Sequence, residues 1–197
     1  GMLTYNFGER LKFIGGARIE GTDIFVDAFF EDDNAEIDAV DALPAANVVY
    51  ALTESANLRA SYSNTLARPN MREVAAFASF GFIGDPILFG NPDLVRTRID
   101  NFDLRYEIFP RSGEVFAVSG FYKEFEDPIV QTFRPAGNPQ FTFKNANTAT
   151  LYGAEVEVRK KLDFIGPALS PFGVSANLAY IFSESDLDSV EIGLVRD

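Results

Sequence analysis

Apolar and polar residues alternate with a period of two over most of the chain, which predicts β-strands rather than helices. The alternation is clearest over residues 101–109, where apolar side chains fall on one face and charged side chains on the other. The stretch 114–125 is apolar on both faces for much of its length. The pattern predicts strands over residues 11–20, 24–30, 43–52, 57–66, 101–109, 114–125, 152–159 and 172–183.

The segments between these strands differ greatly in length. The acidic stretch 31–41 is predicted to be a solvated loop, with a helix in its second half as the alternative. Residues 67–96 form a long connection rich in Pro, Gly, Asn and Arg, in which 73–80 could form a short helix. A second long connection spans 126–148 and holds a small predicted hairpin, and the polar tail is predicted to be a loop with the start of one more strand.

Long and short connections alternate along the chain, and this regularity indicates the architecture. Neighbouring antiparallel strands place successive connections at opposite ends of a sheet, so all the long loops are expected at one end. Such loops are uncommon in compact domains but typical of outer-membrane barrels. We therefore predict an all-β fold of antiparallel up-and-down strands that forms part of a large transmembrane β-barrel.

The alternative is a self-contained soluble β-barrel or sandwich that binds a ligand or protein partner, because about eight strands can close a small barrel. The alternating faces would then be core and solvent rather than lipid and lumen. Tyr106 and Tyr180 lie near strand ends on the apolar faces, which is typical of an aromatic girdle at a membrane surface. A core tyrosine with a satisfied hydroxyl explains the same pattern.

The composition argues against several classes of function. The net charge of -12 argues against nucleic acid as a partner, since phosphate binding needs a basic surface. The chain has no Cys and no His, which removes thiol nucleophiles, histidine bases and the usual zinc ligands. No calcium-loop or phosphate-loop motif is present. Glu155 and Glu157 have the spacing of a carboxylate pair, but on a barrel strand they are expected to be lumen-facing charges. We therefore expect neither an enzyme nor a cofactor or metal site.

A group of polar and basic residues brackets the first long connection. Arginines in such a loop could clamp an anionic ligand. The alternative is ordinary solvation, or pairing with the many acidic residues. The candidate ligand-binding residues are Arg68, Asn70, Arg72, Arg96 and Arg98.

Four segments together resemble a known family. They read NLRASYSNTLARPNMRE, GNPDLVRTRIDNFDLRYEIFP, GEVFAVSGFYKEFEDPI and LYGAEVEVRKKLDF. They are similar to the C-terminal barrel region of TonB-dependent outer-membrane receptors, in which a strand ends in an Arg-Pro loop and an Asn-Pro-x-Leu segment leads into the next strand. The corresponding residues here are Arg68-Pro69 and Asn91-Pro92-Asp93-Leu94.

The resemblance implies a receptor in the bacterial outer membrane that binds a scarce nutrient at the cell surface and imports it. Siderophores, cobalamin, saccharides and peptides are substrates of the family. Import takes energy from an inner-membrane complex through a TonB-type protein, and outer-membrane lipid surrounds the barrel.

The resemblance also implies that residues 1–197 are a partial β-barrel domain of a longer receptor, with the plug domain and the final barrel strands lying elsewhere. An open set of strands exposes two edges and an apolar surface. The isolated chain is therefore expected to self-associate.

Overall fold

The fold was analysed in a computed structural model, which describes residues 1–27, 34–79, 82, 87–134 and 140–186. These residues are mainly β-strands. In chain order the strands are β1 (Met2–Phe7), β2 (Leu11–Val26), β3 (Ala35–Thr53), β4 (Ala56–Ala67), β5 (Ala78–Ser79), β6 (Ile87–Phe89), β7 (Thr97–Ile108), β8 (Val115–Glu126), β9 (Ile129–Arg134), β10 (Gln140–Asn145), β11 (Thr148–Lys161) and β12 (Gly173–Ser185). Helical structure within the described ranges is limited to α1 (Met71–Val74) and 3₁₀ helices at Leu162–Phe164 and Pro167–Leu169.

The main sheet has eight strands in the order β1-β2-β3-β4-β7-β8-β11-β12, and all neighbours are antiparallel. The short connections after β1, β3, β7 and β11 lie at one end, which we call the turn end. The connections after β2, β4 and β8 lie at the other, the loop end. The predicted up-and-down arrangement is therefore confirmed. The connections after β4 and β8 are long as predicted, but the connection after β2 shortens to residues 27–34, because β3 begins at Ala35. β1 and β12 are the edges of an open sheet.

The two long connections form a second sheet of their own, the loop sheet, in the order β5-β6-β10-β9. β5 and β6 come from the connection after β4, and β9 and β10 from the connection after β8. β9 and β10 pair antiparallel, which confirms the hairpin predicted in the second connection. β6 and β10 pair in parallel and join the two connections to each other.

The structure corrects several sequence-based boundaries. β2 is one continuous strand where two were predicted, and β1 was missed. The prediction of a loop over the whole acidic stretch is wrong, because β3 begins at Ala35. Ala35 and Ile37 are buried there and alternate with the exposed acids Glu36 and Asp38, so the period of two outweighs the acidic composition. The short helix ends at Val74, before most of its predicted range. The tail beyond residue 186 lies outside the described residues.

The buried apolar cluster lies at the loop end rather than along the main sheet. We call it the loop core. Its buried members are Ala35, Ile37, Val74 and Leu94, and the partly buried Ile24, Val26, Ile129 and Phe143 pack against them. The β2–β3 hairpin and both long connections thus contribute to one small core, which positions the loops over the end of the main sheet.

Candidate functional site

One face of the main sheet, the outer face, is apolar and exposed. The strand register places aromatic side chains in a single row across β4, β7, β8, β11 and β12. The ring centroids of Tyr62 and Phe102 are 5.1 Å apart, and those of Tyr152 and Phe182 are 5.4 Å apart. The Phe102 side chain stays 46% exposed although it lies in the middle of the sheet. The complete row is Tyr62, Phe102, Tyr122, Tyr152 and Phe182.

This aromatic row separates polar from apolar parts of the outer face. The next row toward the loop end is Asn64, Asp100, Glu124, Thr150 and Glu184. Toward the turn end, the same face of β7 stays apolar through Leu104 to Ile108. At about 3.4 Å per residue, the step from Phe102 to Ile108 covers about 20 Å. Outer-membrane barrels carry an apolar band of about 25 Å flanked by aromatic girdles, which this face resembles.

The opposite, inner face carries a network of charged side chains. Glu107 is buried, and its carboxylate accepts hydrogen bonds from Arg59 Nε at 2.5 Å and Arg105 Nε at 3.1 Å. Arg105 Nη2 also donates to Glu157 Oε2 at 2.7 Å, across the intervening strand β8. Arg159 lies 3.5 Å from the other Glu157 oxygen. Glu157 is therefore held by arginines, which favours its expected role as a lumen-facing charge.

A depression of about 490 Å³ lies beside this network on the inner face, and the apolar side chains of Phe121, Leu151 and Ile181 form part of its lining. Arg59, Arg105 and Lys123 line it together with Asp103 and Glu155, so both signs of charge are present. Such a surface suits contact with polar groups of mixed charge. It shows no selectivity for an anion.

Three of the predicted ligand-binding arginines are engaged within the protein. Arg68 donates from Nη2 to Glu20 Oε2 and from Nε to Thr22 Oγ1, each at 2.6 Å. Arg96 and Arg98 both donate to Asp41 Oδ1, at 2.8 Å and 3.0 Å. These contacts tie the β2–β3 hairpin to the roots of the first long connection.

Asp41 accepts hydrogen bonds from both Arg96 and Arg98. Its side chain is only 1% exposed, and a buried carboxylate is stable only when it is paired. Arg96 Nε lies 2.7 Å from the second Asp41 oxygen. The two arginines therefore compensate this charge without any ligand.

Of the remaining two predicted residues, Arg72 lies on α1 and Asn70 is the N-cap residue just before it. The Asn70 side chain caps the helix by accepting from the backbone N–H groups of Arg72 and Glu73, and Glu73 Oε2 accepts from the Asn70 N–H, which completes a capping box. Arg72 is exposed, and no hydrogen bond or ion pair links its side chain to the described residues. Glu20 and Asp41 are paired across β2 and β3, so the structure brings Arg68, Arg96 and Arg98 together on this acidic pair. Contact of the five residues with a ligand stays a prediction.

Two asparagines, of which sequence reasoning singled out only Asn91, join the two long connections. Asn145 Oδ1 accepts from the Val95 N–H at 2.9 Å, and its Nδ2 donates to the Asp127 carbonyl oxygen at 2.7 Å. Asn91 Nδ2 donates to the Phe143 carbonyl oxygen at 2.9 Å. The turn-forming character of Asn91 was evident from its sequence context. Its partner is 52 positions away, so local pattern gave no sign of it.

The turn end holds a separate charged cluster. Glu114 is buried and accepts from Arg111 Nη2 at 2.6 Å and from Lys160 Nζ at 2.8 Å. These hydrogen bonds lower the pKa of Glu114 to about 2. Arg111 also donates to both oxygens of Asp163, which lowers the pKa of Asp163. The hydrogen bonds to Glu114 and then to Asp163 raise the pKa of Arg111. The cluster links the β7–β8 and β11–β12 connections.

Other site types were sought in the described part of the chain. It contains no group of three or more acidic residues arranged to hold a metal ion. None of its helices has the length and apolar character needed to cross a membrane.

Comparison with known proteins gives a family and a fold. Residues 1–194 match the family described as TonB dependent receptor-like, beta-barrel. The siderophore receptor PirA from Pseudomonas aeruginosa is similar in structure, with a TM-score of 0.68 and 18% identity over 93% of this chain. The copper transporter OprC has a TM-score of 0.66 and 17% identity over 93% of this chain. No curated protein sequence matched.

A further similar structure contains a ligand. A mutant of the ferric enterobactin receptor PfeA from Pseudomonas aeruginosa, in complex with enterobactin, has a TM-score of 0.55 and 18% identity over 87% of this chain. The chain spans 33% of PirA, 28% of OprC and 26% of PfeA. At these identities the likeness shows the fold alone.

Proposed function

We propose, from the premise that this chain belongs to the family of TonB-dependent receptor-like β-barrels, that it is part of an outer-membrane receptor for the uptake of a scarce nutrient. The observation that carries the proposal is the exposed outer face with its aromatic row, which suits lipid rather than water. Membership of a receptor family supports the expectation that the chain is not an enzyme. The open sheet argues against the alternative of a self-contained soluble barrel.

The proposal assigns a role to each end of the sheet. The loop end, with its polar row and loop sheet, would face the cell exterior and meet the nutrient. The turn end would face the periplasm, and the inner face with its charged network would line the lumen. Energy for import would come from a TonB-type protein acting through parts of a longer receptor, because this chain spans only about a third of PirA.

The substrate class is open within the family's range of siderophores, cobalamin, saccharides and peptides. We test a ferric siderophore first, because PirA is a siderophore receptor and a PfeA mutant was solved with enterobactin. Copper comes second, since OprC is a copper transporter. Ferric siderophores and then copper are therefore tested before the other substrates.

The test is uptake by a strain that lacks the gene. Labelled ferric siderophores, copper, cobalamin, oligosaccharides and peptides are offered in turn, with the wild-type gene returned on a plasmid as the control. We expect the deletion to abolish uptake of one of these substrates, and a TonB deletion to abolish the same uptake. Unchanged uptake of every substrate, under limitation for each, would overturn the proposal.

Arg72 offers a test of the predicted loop contact. We propose that it binds an anionic group of the nutrient, because its side chain is exposed and unpaired among the described residues. Arg68→Ala with Arg72→Ala in the full-length receptor should weaken binding about ten-fold, as expected for one charge-assisted hydrogen bond. Arg68→Ala alone is the control, since Arg68 contacts Glu20. Equal affinities of the single and double variants would reject a role for Arg72.

A further inference from the structure

The two long connections share a sheet although β7 and β8 separate them in the sequence. β6 of the first connection pairs in parallel with β10 of the second, and the register places Ile87 opposite Gln140 and Leu88 opposite Phe141. Each connection also completes the pair on its own side, β5 with β6 and β9 with β10. Neither connection can leave this sheet without breaking backbone hydrogen bonds of the other.

Side-chain amides tie the roots of the two connections in the same way. Asn145 exchanges two hydrogen bonds with the backbone of Val95, at 2.9 Å and 3.1 Å. The Asn91 amide reaches the Phe143 carbonyl oxygen at 2.9 Å. Both asparagines use atoms that would otherwise have to be hydrated, so separating the connections means replacing these bonds by water.

The loop core supplies a third tie. Val74 and Leu94 of the first connection are 1% and 2% exposed, and Ile129 and Phe143 of the second pack against this cluster. Ala35 and Ile37 of β3 are buried in the same cluster. Pulling either connection away would expose apolar surface of both, and of the β2–β3 hairpin as well.

We infer that the two connections and the loop-end half of the β2–β3 hairpin form one cooperative unit, which opens and closes as a whole. Sheet pairing, amide contacts and the loop core join the same partners, so local opening of one connection removes the support of the other. A ligand would therefore contact one surface that moves as a unit rather than two independent loops. The inference depends on the fold alone and not on the cargo or energy source proposed above.

Hydrogen exchange of the full-length protein in detergent tests this inference. Val74→Ala removes buried apolar atoms from the first connection. We expect roughly ten-fold faster amide exchange both in residues 87–96 and across the boundary in residues 129–134 and 140–145, as for a cooperative unit. Met71→Ala is the matched control on the same helix, because Met71 is 70% exposed. It should change neither connection.

The reciprocal substitution is Asn145→Ala in the second connection. We expect faster exchange in residues 71–74 and 87–89 of the first connection, because coupling between two sites acts in both directions. Faster exchange confined to the substituted connection would overturn the inference, and so would unchanged exchange in both. If Val74→Ala prevents assembly, Asn145→Ala carries the test alone, since it removes hydrogen bonds and no core side chain.

Discussion

Asp41 meets two arginines that differ in exposure, which allows their contributions to be separated. Arg96 contacts both carboxylate oxygens, at 2.8 Å and 2.7 Å, and its side chain is 25% exposed. Arg98 reaches one oxygen at 3.0 Å and is 49% exposed. Because water screens the half-exposed guanidinium more strongly, we expect Asp41 to be coupled more strongly to Arg96 than to Arg98.

The structure sets the expected magnitudes. A hydrogen bond that involves a charged, largely buried group contributes about 1.5–3 kcal/mol, and the bond from Arg96 Nη2 to Asp41 Oδ1 belongs in this class. The Nε–Oδ2 contact adds an ion pair without hydrogen-bond geometry. Pairs with one well-exposed member contribute about 0.2–1 kcal/mol, which applies to Asp41–Arg98. We therefore expect coupling energies of about 2 kcal/mol and about 0.5 kcal/mol for the two pairs.

Double-mutant cycles in the full-length protein measure these coupling energies. Asp41→Ala is combined in turn with Arg96→Ala and with Arg98→Ala, and each single variant is measured alone. Amide exchange of residues 38–43 in β3 gives the free energy of local opening. Equal coupling energies, or a larger value for Arg98, would show that exposure does not set the strength of these contacts and would refute the reasoning.

Three further predictions test other parts of the molecule. The charged form of Glu114 stabilises the fold above the ordinary pKa of this carboxyl, 4.5, and this contribution is lost as the pH falls toward about 2. Glu114→Gln should therefore make the unfolding midpoint less dependent on pH across that range. Gly90→Ala should destabilise the loop end by about 1–3 kcal/mol in amide exchange, because its Cβ would collide with the Ala75 carbonyl oxygen, whereas the Cβ of Gly21→Ala meets nothing within 4 Å. Leu104→Arg on the outer face should cost about 2–4 kcal/mol in folding into lipid vesicles, whereas Asp103→Arg on the inner face should not.

Each of these predictions has a clear contrary result. A pH profile that is the same for the wild type and the Glu114 variant would mean that the turn-end cluster does not contribute to acid stability. Equal effects at Gly90 and Gly21 would contradict the close backbone approach at Gly90. Equal effects of arginine at 103 and 104 would contradict the assignment of the outer face to lipid.

The strands of the main sheet were largely predictable because a period of two is a local signal. β7 and β11 are amphipathic over residues 102–108 and 152–159, and this alternation needs no knowledge of neighbours. β1 was missed because it lies at the start of the chain and is short. The prediction of a loop over residues 35–41 was wrong because the acidic composition outweighed the alternation that buries Ala35 and Ile37 on one face.

The site was less predictable, because its geometry depends on register and on distant contacts. Tyr106 and Tyr180 suggested an aromatic girdle, but the register aligns Tyr62, Tyr122 and Tyr152 with two phenylalanines in the row itself. The arginines of the first connection were recognised, but their acidic partners lie on β2 and β3. Only the assembled sheet shows that Glu20 and Asp41 already form ion pairs with three of these arginines.

The parallel pairing of β6 with β10 has a consequence for the order of folding. Their contacts are separated by about fifty positions, and closing so long a loop in an unfolded chain costs conformational entropy before any contact is gained. The β7–β8 hairpin, joined by a short turn, brings its two ends together at the loop end. Forming this hairpin first shortens the loop that β6 and β10 have to close. We therefore expect the loop sheet, which would meet a nutrient, to be among the last described parts of the chain to assemble.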